Sequence, residues 1–166
     1  MSLVDALLPE FDHEMATTRR VLDRVPEGEL GWKPHEKSMS LGELSGHLAT
    51  IPMWSTAVTD SASLDLDALG DTAKPKSPAS REALLKNFDR LVAQARAGLA
   101  KSTDAEMLGP WTLKKGVQEL FTIPRISAIR TWVMNHSIHH RGQLTVYLRE
   151  LNIPLPAIYG PTADEQ

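Results

Sequence analysis

The chain contains no cysteine in its 166 residues. That excludes a disulfide framework, a cysteine-ligated zinc site and a protein thiol nucleophile, so any metal must be held by His, Asp or Glu. No apolar run approaches the roughly 18 residues that a membrane span needs, and the opening MSLVDALLPEFD is acidic where a signal peptide would be basic. The chain therefore reads as cytoplasmic, with no membrane partner. Basic charge is sparse as well. The densest clusters are the pairs Arg19-Arg20 and Lys114-Lys115, and 18 Lys+Arg stand against 21 Asp+Glu for a net charge of −3. No basic stripe exists to neutralise a run of phosphates, which argues against a nucleic-acid partner. An alternating strand pattern of useful length is missing too.

What remains is an ordinary globular composition, 42% apolar and 23% charged. Residues 1–166 read as a single domain without internal repeats, long enough to bury about two thirds of the surface its unfolded form exposes. Leu8, Phe11, Met15, Thr18 and Leu22 recur at helical steps, so a first helix runs to about Arg24, with Pro9 as an early kink or its true start. After the loop VPEGELGWKPHEKSMS, Ser40 and Glu43 fit a capping box ahead of a stripe formed by Leu44, Leu48, Ile51 and Val58, and Pro52 should bend that helix. The segment from Ser61 to Ser80 reads as a connection with one short helical turn. A third helix follows from Pro78 or Ser80 to Ala100. LGPWTLKKGV reads as a surface excursion. The fourth helix starts near Thr122 and Pro124 and runs to about Leu151, where Pro154 and Pro156 prevent continuation. Four amphipathic helices with long middle connections predict an all-α four-helix bundle.

Half of the six histidines lie in the stretch NHSIHHRGQL, residues 135–144. Advancing about 100° per residue from His136 at zero, Ile126, Ile129, Val133, Leu144, Tyr147 and Leu151 fall on one stripe between about 20° and 80°. His140 lands inside the stripe, His136 on its edge and His139 well outside it. On the second helix His47 lies among Leu44, Leu48, Ile51 and Trp54. His13 falls on the wrong side of its helix, and His35 sits in a Pro-rich loop. A lone histidine on an apolar stripe is more often a satisfied core residue than a ligand. Three on two facing helices leave both readings open, because buried imidazoles without partners lose solvation and a divalent cation bound by their neutral nitrogens removes the problem.

The block NHSIHHRGQLTVYLRELNIPLP, with GELSGHLA and LGWKPHEKSMS upstream, resembles the DinB family, within the DinB/YfiT-like superfamily of metalloenzymes. That resemblance implies an up-down-down-up four-helix bundle with a three-histidine divalent metal site, and the matching positions are His47, His136 and His140. Relatives of assigned activity are transferases and isomerases that use low-molecular-weight thiols such as mycothiol or bacillithiol, and homodimers are common. The resemblance thus implies a small-molecule substrate, a thiol cosubstrate and a homodimer. Three imidazoles suit zinc or nickel first, then iron, cobalt or copper.

The same site admits a metal-dependent hydrolase, or a stress-related protein in which the ion is only structural. Glu43, one turn before His47, is a candidate proton or orientation partner that equally closes the cap with Ser40. Gln143 is a candidate partner of a ligating imidazole or of substrate. Arg141 is expected to face solvent or an interface, His139 to be exposed or outside the ligand set, and Gly142 to let another helix or subunit approach closely. Trp32 and Trp54 flank the His47 helix as candidate pocket walls.

Overall fold

The computed structural model describes residues 2–165. It is mostly helical, with one small three-stranded sheet. In chain order it contains α1 (Leu3–Leu22), α2 (Leu41–Thr50), α3 (Met53–Asp60), β1 (Ser63–Asp65), α4 (Leu66–Leu69), α5 (Arg81–Lys101), α6 (Asp104–Leu108), β2 (Pro110–Lys115), β3 (Gln118–Pro124), α7 (Arg125–Ala128) and α8 (His136–Glu150). A π-helical stretch, Ile129–Asn135, joins α7 to α8 without a break. Helix α1 packs on α5 and α8, and α2 packs on the same two helices. Phe11, Met15, Leu44, Leu48, Phe88, Leu99, Val133 and Leu144 all meet in the core between them.

Local chemistry explains the helix ends. Ser40 and Glu43 form the expected capping box, with Ser40 Oγ accepting from the Glu43 N–H at 3.1 Å and Glu43 Oε2 accepting from the Ser40 N–H at 2.7 Å. Pro52 cannot continue the hydrogen-bond ladder of α2. The helix stops at Thr50, and α3 starts afresh with Pro52 at its N-cap. Ser80 caps α5, and Pro9 lies within α1 rather than at its start. Asn152 closes the last helix with φ +57, the left-handed conformation common just past a helix end. Gly42 and Gly46 are required by a close approach: a Cβ on Gly46 would stand 1.9 Å from the Lys76 carbonyl oxygen, and one on Gly42 would stand 2.1 Å from Ser77 Oγ. The long connection after α3 is thereby pressed onto the back of α2.

The structure corrects three expectations. The fold is not all-α: β1 pairs in parallel with β2, and β2 pairs antiparallel with β3. The supposed surface excursion LGPWTLKKGV carries β2, whose Trp111 and Leu113 are buried while Thr112 and Lys114 alternate outward. Lys115 faces Gln118 across a two-residue turn, where Gly116 takes φ +55. The helical segment also starts later than expected, since Thr122 belongs to β3 and Pro124 caps α7. The sheet bears on the site indirectly. Phe121 of β3 stacks on Trp132 of the π stretch at 5.6 Å with ring planes 4° apart.

Candidate metal centre

The π stretch determines how α8 presents its side chains. Its i→i+5 bonding advances only about 80° per residue, against about 100° in α-helix. Ile129 and Val133 remain buried, but they no longer sit in phase with His140 as a continuous α-helix would place them. Downstream, the residues facing the core are Ser137, His140, Arg141, Leu144 and Leu148. Measured from His136, the centre of that stripe lies near 100° rather than about 50°. His136 and His140 therefore occupy its flank, where a side chain can be half buried and still reach a neighbouring helix. Arg141 moves inside. The expectation that Arg141 faces solvent or an interface is thus overturned: it is 1% exposed.

His47 on α2 faces this flank. Its Nε2 is 3.3 Å from His136 Nε2, and His140 Nε2 is 2.9 Å from the same atom. One nitrogen from each ring lies within 4.8 Å of the other two. The opposite ring nitrogens identify the tautomers. His136 Nδ1 lies 3.3 Å from the Trp132 carbonyl oxygen, and His140 Nδ1 lies 2.7 Å from Gln143 Oε1. Both partners can only accept, so both Nδ1 atoms carry the proton and both Nε2 atoms present lone pairs. Two lone pairs facing each other at 2.9 Å repel unless a cation lies between them.

Protonation would supply that cation only at a cost. Burial pushes His47 down to about 4, and His140 and His136 add to the shift. Burial is also the largest cause of the lowered values of His136 and His140. The neighbouring His140 lowers His136 further, and the Gln143 contact partly opposes the shift at His140. All three rings are therefore neutral at pH 7, the form in which imidazole binds metals. A tetrahedral ion with metal–nitrogen bonds of about 2.0–2.1 Å would hold its ligand nitrogens roughly 3.3–3.4 Å apart. The 3.3 Å separation meets this already, and the 2.9 Å one has only to open by a few tenths of an ångström. The three residues fit a divalent ion.

The surroundings follow from the same phase. Gln143 is exposed on its outer side while its amide oxygen holds His140. His139 is exposed, its ring edge-on to His140 at 4.9 Å. Glu43 lies one helical turn before His47, but its Oε2 is taken by the Ser40 N–H and sits 3.8 Å from Lys33 Nζ. The Ser40 backbone bond is the main reason its carboxyl lies below the usual value. The ring of Trp32 stands edge-on to Tyr147 at 5.5 Å, and the Tyr147 hydroxyl donates to the Met39 carbonyl at 3.2 Å. Trp54 is half buried on α3. The role of Trp132, which offers its carbonyl to His136 and its ring to Phe121, had no sequence signal beyond its position four residues before His136.

A family model described as the DinB superfamily matches residues 10–144. The chain belongs to the DinB superfamily. Its relatives include the uncharacterized protein YrdA of Bacillus subtilis (strain 168), 22% identical over 163 residues, which cover 98% of this chain and 91% of that protein. Among solved structures, a DinB-like protein from Bacillus cereus ATCC 10987 superposes with a TM-score of 0.71 at 19% identity, covering 93% of this chain and 97% of its own. The DinB-like protein YjoA from Bacillus subtilis gives 0.68 at 19% identity, with 97% and 99% covered. These structures share the fold. The match to the DinB model spans α2 and the His136–Leu144 block, so all three histidines lie within it.

Proposed function

We propose that the protein is a divalent-metal-dependent enzyme in which His47, His136 and His140 hold one ion, zinc or nickel first, and that it transfers a low-molecular-weight thiol to a small electrophile. The observation carrying the reading is the pair of Nδ1–H contacts, to Trp132 and Gln143, that turn the His136 and His140 lone pairs toward His47. Bound there, a divalent ion lowers the pKa of an adjacent thiol or water, so that the nucleophile exists near neutral pH. Neutral histidines suit this role because they leave the ion's charge uncompensated. With no cysteine in the chain, the thiol must arrive as a cosubstrate.

In this reading Gln143 holds the His140 tautomer and offers its amide N–H groups outward to substrate. Glu43 takes a hydrogen bond from substrate through Oε1, and its lowered pKa suits it to orientation better than to storing a proton. The reaction forms a carbon–sulfur bond at the electrophilic carbon, the leaving group departs with its bonding pair, and the thiol proton passes to solvent. The proposal includes an up-down-down-up bundle, a homodimer and a cytoplasmic location. A hydrolase is the second reading, because the same three ligands would serve a water nucleophile.

The test begins with elemental analysis of purified protein. About one divalent ion per chain is expected, lost on replacing His47, His136 or His140 by Ala and retained in His139→Ala. Metal-loaded protein is then given bacillithiol, mycothiol or glutathione with monochlorobimane. Metal-dependent transfer supports the thiol reading, whereas no transfer with any of the three thiols overturns it in favour of hydrolysis or a structural ion.

A further inference from the structure

The second buried polar cluster of the molecule lies on the other flank of α8 and involves the chain's last residues. The Arg141 guanidinium is 2.7 Å from the Glu14 carboxylate and also donates to the Glu14 carbonyl oxygen at 3.2 Å and to Thr18 Oγ1 at 3.3 Å. All of these acceptors belong to α1, so Arg141 fixes α8 to α1 at the residue after His140. The pair is sealed from outside by Tyr159. Its hydroxyl donates to the Glu14 carboxylate at 2.9 Å and accepts from Arg141 at 2.6 Å, and its ring lies 5.2 Å from the guanidinium carbon. The Tyr159 residue itself is 67% exposed.

The tail carrying Tyr159 is tied down on both sides of it. Arg20 donates to the Ala157 carbonyl at 3.0 Å, Asp164 pairs with Arg149, and Arg24 stands 3.6 Å from Glu165. Residues 152–165 lie beyond the 10–144 match to the family model. The seal acts on a helix whose rotation matters. His136 and His140 meet His47 with α8 turned so that Arg141 points inward, and an arginine held by Glu14 and Thr18 of α1 and by the Tyr159 hydroxyl resists rotation in either direction.

We infer that Tyr159 is a positioning residue for the histidine site: by completing the shell of Arg141 it holds the rotation of α8 that brings the His136 and His140 lone pairs onto His47. The inference rests on the reading of those histidines as metal ligands. It is tested with full-length protein carrying Tyr159→Phe, which keeps the ring and loses the hydroxyl, and Tyr159→Ala. Leu91→Ala in α5 serves as a destabilised control away from α8. Cobalt(II) affinity and the visible ligand-field spectrum are recorded well below each melting temperature.

Tyr159→Ala should weaken cobalt binding by about ten- to a hundredfold, the range for lost supporting partners of metal ligands, and alter the spectrum. Tyr159→Phe should fall between it and wild type, and Leu91→Ala should match wild type. A Tyr159→Ala protein with wild-type affinity and spectrum overturns the inference, as does an equal loss in Leu91→Ala. Should wild type take up no ion, the proposed function is what fails. The inference is then decided on metal-free protein by the imidazole NMR shifts of His136 and His140, which Tyr159→Ala moves if the latch positions them and leaves in place if it does not.

Discussion

Two polar clusters flank the same helix, and they are satisfied differently. On one side of α8 the Arg141 guanidinium finds the Glu14 carboxylate, a carbonyl and two hydroxyls, so its donors meet acceptors. On the other side three Nε2 atoms converge, and those of His136 and His140 face each other as acceptors, because their protons are held on Nδ1 by Trp132 and Gln143. Burying a polar group without a partner costs free energy, and the chain avoids that cost at Arg141. The contrast teaches where to look for a ligand: at the cluster whose missing partner is a cation.

The sharpest way to break this comparison is to unbalance the satisfied side. Glu14→Ala leaves the Arg141 charge buried without its carboxylate, and the loss of one partner of a buried ion pair costs about 3–5 kcal/mol. Urea denaturation should show a fall of that size. The double replacement Glu14→Leu with Arg141→Met should cost less than the single one, since it removes both charges and keeps the volume. A double variant no more stable than Glu14→Ala would show that the pair is needed for more than mutual neutralisation.

The unsatisfied side should respond to metal and to pH. An ion at a hundredfold excess over its dissociation constant stabilises by about 2.7 kcal/mol, so a chelator should lower the melting temperature of loaded protein by the corresponding amount. In metal-free protein the histidines make their own contribution. His47 is held near 4 when folded, against 6.5 for its ordinary value, so between those limits the unfolded chain binds more protons than the native one. Stability then rises with pH across that window and is level above it, and acid unfolds the protein through it. Melting curves of metal-free wild type and His47→Ala from pH 4 to pH 7.5 check the sign. The variant should show the shallower slope.

How much of this was legible beforehand follows from what each feature depends on. The capping box at Ser40 and the helix from Ser80 are local, set by side chains within three or four residues of the backbone they satisfy, and they appear where expected, while Pro52 acts where expected but divides the helix in two rather than bending it. So does the meeting of His47, His136 and His140, which needed only helical spacing on two helices and the family resemblance. The sheet was missed because its strands are short and only Trp111 and Leu113 alternate inward with any regularity. Arg141 was misplaced because the π stretch, whose extended turn has no residue signature in IRTWVMN, shifts the phase of everything before it relative to α8. The Tyr159 contact spans 145 residues to Glu14 and leaves no trace in any periodicity.

The smallest effect sharpens the comparison at a third face of α8, the one that neither cluster uses. Gly142 is exposed, and a Cβ added there would meet nothing within 4 Å. Val146, one turn on, is also exposed. In the isolated chain, then, no close approach requires this glycine, and glycine inside a helix is less favourable than alanine by roughly 0.5–1 kcal/mol. Gly142→Ala should stabilise a monomer by about that amount in urea denaturation. If two chains instead associate through this face, as the proposed homodimer allows, the added methyl group intrudes on the contact, and the same substitution lowers stability in a way that depends on protein concentration. Denaturation at two concentrations, with light scattering for mass, separates the cases: a concentration-independent gain assigns the face to solvent, and a concentration-dependent loss assigns it to a second copy of the chain.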